Sequence, residues 1–259
     1  MKFTLKALSL ALATTASGVA LADESSKLPL GLEFSGSAAI TTDYRFRGIS
    51  QTQNDPAIQV GLHLAHSSGL YAGVWGSNID FGNDAPKLEL DPYLGYSYTF
   101  EDVNLKPWVD VGVWRYGYPS YTKNFAFTEY YVRGGLSDVI AEGDGFNTTI
   151  NYTNSYGKTD KDSWYFSLGY AVPFADTGFG ANVNVGYTTV KDYVAYNGGF
   201  NGKNHYTDWK LGVTYDFKSI SGFTAELAAI GTDISKKGKS KDEKRLNETG
   251  AVFTLTKSF

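Results

Sequence analysis

The sequence predicts an all-β fold: a single transmembrane antiparallel β-barrel of about twelve strands, after a cleaved signal peptide. Three observations carry that prediction. Successive segments alternate apolar and polar residues, and a period of two puts one set on each face of a strand. The connections between them are alternately short and long, as in outer-membrane barrels, where the short turns are periplasmic. Charge is absent from the dry faces at mid-strand positions such as Ala38, Ile40, Ile58, Leu64, Val109, Val113, Ala181, Val185, Leu211 and Val213. A Lys or Arg at the bilayer midplane costs roughly 2–4 kcal/mol on such a face, which accounts for the blank.

The elements follow in order. Lys2 and Lys6 form a positive start, Ala7 to Leu21 an apolar stretch, and Ala20-Leu21-Ala22 an A-x-A cleavage pattern. Residues 1–22 are therefore a predicted signal peptide, 23–31 a periplasmic N-terminal extension, and 32–259 the barrel. The predicted strands are 32–48, 57–66, 69–79, 88–100, 103–115, 127–137, 146–156, 163–172, 179–190, 205–217, 222–232 and 249–259. The fourth is the cleanest: Leu88, Leu90, Pro92, Leu94, Tyr96 and Tyr98 alternate with Glu89, Asp91, Tyr93, Gly95, Ser97 and Thr99. Short turns fall at Ser67-Ser68, Glu101-Asp102, 138–145, 173–178 and 218–221. Longer loops fall at 49–56, 80–87, 116–126, 157–162, 191–204 and 233–248. The 138–145 turn is long for its class. An even strand number returns both termini to the short-turn rim.

Aromatic positions give a second check. Phe34, Tyr96, Tyr98, Phe100, Phe146, Phe179 and Phe223 are expected near the short-turn rim. Tyr44, Phe46, Tyr152, Trp164, Tyr187 and Trp209 are expected near the other, making two girdles at the interfaces. Pro92 and Pro107 lack the N–H a ladder needs, so each predicts a bulge or a strand end.

Composition narrows the function classes. There is no cysteine, so no disulfide is available to an exported chain. Loss of Lys2 and Lys6 leaves 21 basic against 27 acidic side chains, a net charge of −6, which argues against nucleic-acid binding. Beyond the signal, no stretch approaches the ~20 apolar residues of a membrane helix.

The lumenal faces hold the candidate pore-lining residues: Asp43, Arg45, Arg47, Glu89, Asp91, Lys106, Asp110, Glu129, Arg133, Asp208 and Lys210, with Glu226 and His63 beside them. Trp75, Tyr93, Trp108, Trp114, Tyr131 and Tyr165 project the same way and narrow the passage. Alternation sets Asp43, Arg45 and Arg47 as a ladder near the outer mouth, either drawing an anionic solute or paired with neighbouring acids. Catalytic patterns are weak. His63 is lumenal, His205 lies at the long-loop end, and His66 sits in a turn beside Ser67 and Ser68, so no Ser-His-acid set shares the lipid face. The same three histidines make no metal spacing, and Asp80, Asn83 and Asp84 form at most a loose calcium loop. No catalytic residue, metal or cofactor is expected. The basic run 236–245 is expected to be solvated or to meet lipopolysaccharide phosphates.

The runs TDYRFRGISQTQNDPAIQVG (42–61), SGLYAGVWGSNIDF (68–81) and LELDPYLGYS (88–97) resemble the TorF-type porin family of proteobacterial outer-membrane proteins. The resemblance implies an outer-membrane barrel and a channel, and brings no substrate or catalytic residue to carry over. The terminal Phe259 looks like the aromatic end that engages the barrel-assembly machinery. The function expected is passive diffusion of small polar or charged solutes across the bacterial outer membrane. The other reading is a non-transporting structural or adhesive barrel acting through its outer loops.

Overall fold

The computed structural model describes residues 26–119, 125–157, 159–197 and 199–259; the predicted signal segment lies outside them. Twelve strands close into one antiparallel barrel: β1 (Leu32–Thr41), β2 (Ala57–His66), β3 (Leu70–Asn78), β4 (Leu88–Thr99), β5 (Trp108–Tyr116), β6 (Phe127–Ser137), β7 (Gly145–Thr153), β8 (Ser163–Pro173), β9 (Phe179–Val190), β10 (His205–Asp216), β11 (Phe223–Thr232) and β12 (Gly250–Ser258). Each pairs with its sequence neighbours, and β1 closes the ring. Leu32 stands opposite His66 of β2, and Ser37 opposite Ser258 of β12. Gly36 and Phe259 exchange both backbone hydrogen bonds, at 2.8 and 3.0 Å. In hydrocarbon an open sheet edge has no water to bond, so closure is what makes the fold stable there. A short strand, Ser26–Leu28, folds back on the start of β1.

The period of two sorts the side chains as the sequence predicts. In β2, Ala57, Gln59, His63 and Ala65 are buried, while Ile58, Val60, Leu62 and Leu64 are exposed. The exterior belt continues through Leu94, Val111, Val132, Leu168, Val185, Leu211 and Leu227, all of them exposed. Only a bilayer gives such a surface an apolar partner. Exposed Tyr96, Tyr98, Phe100 and Phe179 sit toward the short-turn rim, and Trp164 and Tyr187 toward the long-loop rim.

Three expectations are corrected. The first strand ends at Thr41, not 48, and the chain then turns into the barrel. Arg47 (φ 48°) and Gly48 (φ 80°) reverse the backbone between the short strands Arg45–Phe46 and Ile49–Ser50, the two-residue turn that a positive-φ pair ending in glycine favours. Tyr44 and Phe46 accordingly leave the outer girdle. Tyr44 is buried edge-on to Trp75 at 5.3 Å, and Phe46 packs on Tyr116 at 5.4 Å. Lastly, the turn before β5 runs from Phe100 to Pro107, closed by Phe100 N–H to Pro107 O at 2.8 Å. Lys106 lies in that turn, exposed and 2.8 Å from Asp138, rather than in the lumen.

Pro107 marks a strand end. Pro92 lies inside β4, opposite Val74, on the side facing β5. The register there is unchanged, with Tyr93 opposite Trp114 and Leu90 N–H bonded to Gly117 O, so the proline omits one rung without a bulge.

The long 138–144 turn has a physical reason. The Asp144 carboxylate accepts the N–H groups of Val139, Ile140 and Ala141 at 2.6–2.9 Å and the Tyr170 hydroxyl at 2.7 Å. Burial pushes this carboxyl's pKa up, but the Tyr170 hydroxyl and the three backbone donors outweigh it and hold it below the ordinary range. A depressed carboxylate pKa stabilises the fold above the unfolded value of about 3.9 and ceases to do so as pH falls through the folded one.

Two predictions follow from the architecture. Asp144→Asn should lower unfolding resistance at neutral pH and remove this group's share of the acid loss, measured by denaturant titration in lipid at pH 7 and pH 3. Val132→Lys should lower unfolding free energy in a bilayer by roughly 2–4 kcal/mol, and an unchanged value would contradict a lipid-facing β6 exterior.

Candidate functional site: a divided lumen

The segment after β1 fixes the character of the interior. Asp43 binds Arg45 Nε at 2.5 Å, Ser50 Oγ at 2.6 Å and Thr52 Oγ1 at 3.2 Å, so both arms of the inward hairpin are tied to one carboxylate. Arg47 then crosses the lumen. Its Nη2 donates to both oxygens of Glu129 on β6, at 2.9 and 2.7 Å. Its guanidinium lies 4.0 Å over the Tyr165 ring of β8 and 4.7 Å over Phe46. Glu129 also accepts from Asn151 at 2.8 Å and Tyr116 at 3.2 Å. Gly48, at the turn tip, is needed for space as well as φ: a Cβ there would come within 2.7 Å of Gly231 O and 3.0 Å of Asp208 Cβ. The predicted ladder of Asp43, Arg45 and Arg47 is therefore a folded hairpin whose charges are internally or cross-barrel paired.

The lumen beside β2 to β6 is filled. Tyr93 stacks on Trp114 with ring centroids 4.5 Å apart, and Trp75 packs on Tyr44. His63 Nδ1 meets the Tyr93 hydroxyl at 3.1 Å, and the Tyr71 hydroxyl meets Asp110 and the Tyr131 hydroxyl, each at 2.5 Å. Arg133 lies 3.8 Å from Asp110 and 4.1 Å over the Tyr131 ring. Asp91 accepts from Trp114 Nε1 at 2.9 Å and Gly117 N–H at 3.0 Å, and Glu89 from Tyr118 at 3.4 Å. Both carboxylates are buried, and among the described residues no ion pair involves either.

The half beside β7 to β12 stays open. A cavity of about 470 Å³ runs from the hairpin, which roofs it through Arg45, Arg47 and Gly48, to Gly143 and Asp216 at the short-turn rim. Its lumenal wall includes Asn147, Asn182, Asn184, Lys210, Glu226 and Thr254. Lys210 and Glu226 pair at 2.7 Å, with Asn182 Nδ2 donating to Glu226 at 2.8 Å, and both charges are about a fifth to a quarter exposed. Asp208 is buried under the hairpin, its Oδ1 3.4 Å from the Tyr165 hydroxyl.

Of the predicted lining residues, Asp43, Arg45, Arg47, Asp208 and Lys210 border the cavity. Glu89, Asp91, Asp110, Glu129 and Arg133 belong to the filled half, and Lys106 to neither. The asparagines and Gly48 were not singled out by sequence; the Arg47-Gly48 turn pair was the available signal. Asp80 is engaged by Lys87 and by Gly82 N–H, which hold its carboxyl below the ordinary range. His66 bonds Ser68 in its turn and His205 packs near Tyr187, apart from His63.

A family model described as "Bacterial protein of unknown function (Gcw_chp)" matches residues 26–259, and the chain belongs to that family. No curated protein matches it. Among solved structures, the NanC porin superposes with a TM-score of 0.54 at 10% identity, covering 86% of this chain and 97% of that one. OccAB4 of Acinetobacter baumannii follows at 0.47 and 16%, covering 91% and 64%. An outer membrane channel from Pseudomonas putida F1 gives 0.44 and 11%, covering 92% and 98%. The likeness is one of fold, and the first of the three carries it.

Gly48→Val tests the roof directly. A β-branched residue at positive φ against the β10–β11 wall should expel the hairpin while leaving the barrel folded. The expected readout is loss of protease protection at 44–52 with unchanged β content; retained protection would contradict the tight seat.

Proposed function

We propose that this member of the family is an outer-membrane channel for the passive diffusion of small polar or charged solutes. The observation that carries the reading is the open half-lumen, continuous from the hairpin to the short-turn rim, with Asn147, Asn182, Asn184, Lys210 and Glu226 set along a wall that is otherwise largely apolar. Solutes would pass the hairpin when its seat on β10 and β11 opens, and then run along the wall of β7 to β12 past its asparagines and the Lys210–Glu226 pair. The filled half would set the bore and keep the hairpin's far anchor, Glu129, in place. The narrower affiliation with the TorF-type porins belongs to the same proposal. So do the partners: outer-membrane lipid and lipopolysaccharide around the barrel, and the assembly machinery engaging the last strand through Phe259.

A second reading, a non-transporting structural or adhesive barrel acting through its loops, draws support from the same hairpin, because it roofs the only open half among the described residues. Single-channel current separates the two. Refolded protein in a planar bilayer under a salt gradient should give discrete steps, with the reversal potential supplying the ion preference. A folded barrel silent at every voltage would favour the second reading.

Arg47→Ala should enlarge the step. Removing one partner of a buried ion pair costs about 3–5 kcal/mol, here taken from the hairpin's attachment to β6. Glu129→Gln, which leaves Asn151 and Tyr116 a neutral partner, should have a smaller effect of the same sign. Steps identical to those of the parent protein in both variants would overturn the constriction.

A further inference from the structure

The hairpin has a second set of attachments, on the extracellular side. A short helix, α1 (Lys241–Asn247), stands in the 233–249 loop, started by a capping box. Ser240 Oγ accepts Glu243 N–H at 3.3 Å, and Glu243 accepts Ser240 N–H at 2.9 Å. Its C-terminal carbonyls, the negative end of the helix, are held by the hairpin segment. Arg45 Nη1 donates to Glu248 O at 2.6 Å and to Gly48 O at 3.1 Å, and Asn54 Nδ2 donates to Arg245 O at 3.2 Å. A cation on these carbonyls is the favourable sign. Gly250 makes room for it, since a Cβ there would lie 2.8 Å from Arg45 Nη2. Ile49 on the hairpin packs against a cluster of Val190 and Tyr206, at the facing ends of β9 and β10, with Phe200 and Ile234 of the loops beyond them. Arg45 is thus one residue that touches the helix outside and the turn that blocks the lumen inside.

Closure also leaves some polar groups without a protein partner. Arg47 Nε and Nη1 and Asp208 Oδ2 are buried without hydrogen-bond partners. Each is a penalty on the closed arrangement that opening to water would relieve. The hairpin is therefore held by a few specific bonds, with donors and an acceptor beside the cavity that opening would bring into fuller contact with water, as a two-state element requires.

The helix carries the charge that a ligand would read. Residues 236–245 hold Lys236, Lys237, Lys239, Lys241, Lys244 and Arg245 against Asp242 and Glu243, a net charge of +4. Lys241 and Arg245 are exposed, and nothing in the run neutralises the excess. Like charges so close together oppose the helix, and a polyanion laid across them would stabilise it.

We propose that α1 is an external latch on the hairpin, and that phosphate groups of outer-leaflet lipopolysaccharide, bound on its basic face, keep the latch engaged. The idea rests on the channel reading for its consequence, a lower open fraction, but not for its geometry. Two readouts separate these. The chain has no cysteine, so Ile49→Cys gives a unique thiol whose reaction with a membrane-impermeant maleimide reports hairpin exposure without any current. Both readouts use the full refolded chain, in phosphatidylcholine bilayers with or without lipopolysaccharide in the leaflet facing the long loops.

Ser240→Ala combined with Glu243→Gln should speed labelling severalfold and raise the fraction of time in the larger conductance state, although neither residue approaches the lumen. Lipopolysaccharide should lower both quantities in the parent chain and leave them unchanged in a Lys241→Gln, Lys244→Gln, Arg245→Gln variant. Labelling insensitive to the capping change would overturn the latch. A response to soluble inorganic polyphosphate as large as that to lipopolysaccharide would overturn the lipid assignment. If no variant conducts while labelling still follows the capping change, the channel reading fails and the latch stands.

Discussion

Backbone hydrogen bonding without water is the constraint on which the rest of this structure depends. Inside hydrocarbon every strand N–H and C=O must find a protein partner, so β1 has to meet both β2 and β12. Closure fixes which side chains face each other across the lumen, and it forces the apolar phase of each strand outward. It also explains why Pro92 is tolerated. One missing rung in a closed ladder is a local loss, while the register on either side of it is preserved.

Within that ring, a second choice shapes the interior. The chain after β1 turns residues 43–52 into the barrel instead of extending the strand; Asp43 and Arg45 pair with each other, and Arg47 pairs with Glu129 on the opposite wall. The contact of Arg47 Nη2 with both Glu129 oxygens, the ring of Tyr165 beneath the guanidinium, and the close seat of Gly48 form one cross-lumen brace. Aromatic rings fill the side on which the brace is anchored to Glu129, and the side it leaves open carries asparagines and the Lys210–Glu226 pair among apolar side chains. Size and polarity of any passage thus follow from one loop and not from the strand number.

The strands were legible because period-two alternation is a direct consequence of side-chain geometry, and the lipid face penalises every charge. The hairpin was not, because Asp43-Tyr44-Arg45-Phe46-Arg47 keeps the same alternation as the strand it follows. A period shows which faces differ and cannot show that the axis has bent inward. The Arg47-Gly48 pair was the local sign of the turn, and it lost to the pattern. Lys106 was misplaced for a related reason: counting alternate positions ran through a turn closed by Phe100 and Pro107. The grouping of Arg47, Glu129, Tyr165 and Asp208 lay beyond reach, since partners across a barrel depend on the summed register of every ladder between them. The helix at Lys241–Asn247 was also passed over: its Ser240-x-x-Glu243 capping box was the local sign, and it lost to the charge of the run.

The brace can be observed without any functional assay. In a selectively labelled, refolded sample, nuclear Overhauser contacts should appear between the Arg47 side chain and the Tyr165 ring, 4.0 Å beneath it. The Arg47 resonances should also carry a ring-current shift. Absence of that contact, with residues 44–52 giving sharp, solvent-exchanging amide signals, would contradict the account and return the segment to the outer surface.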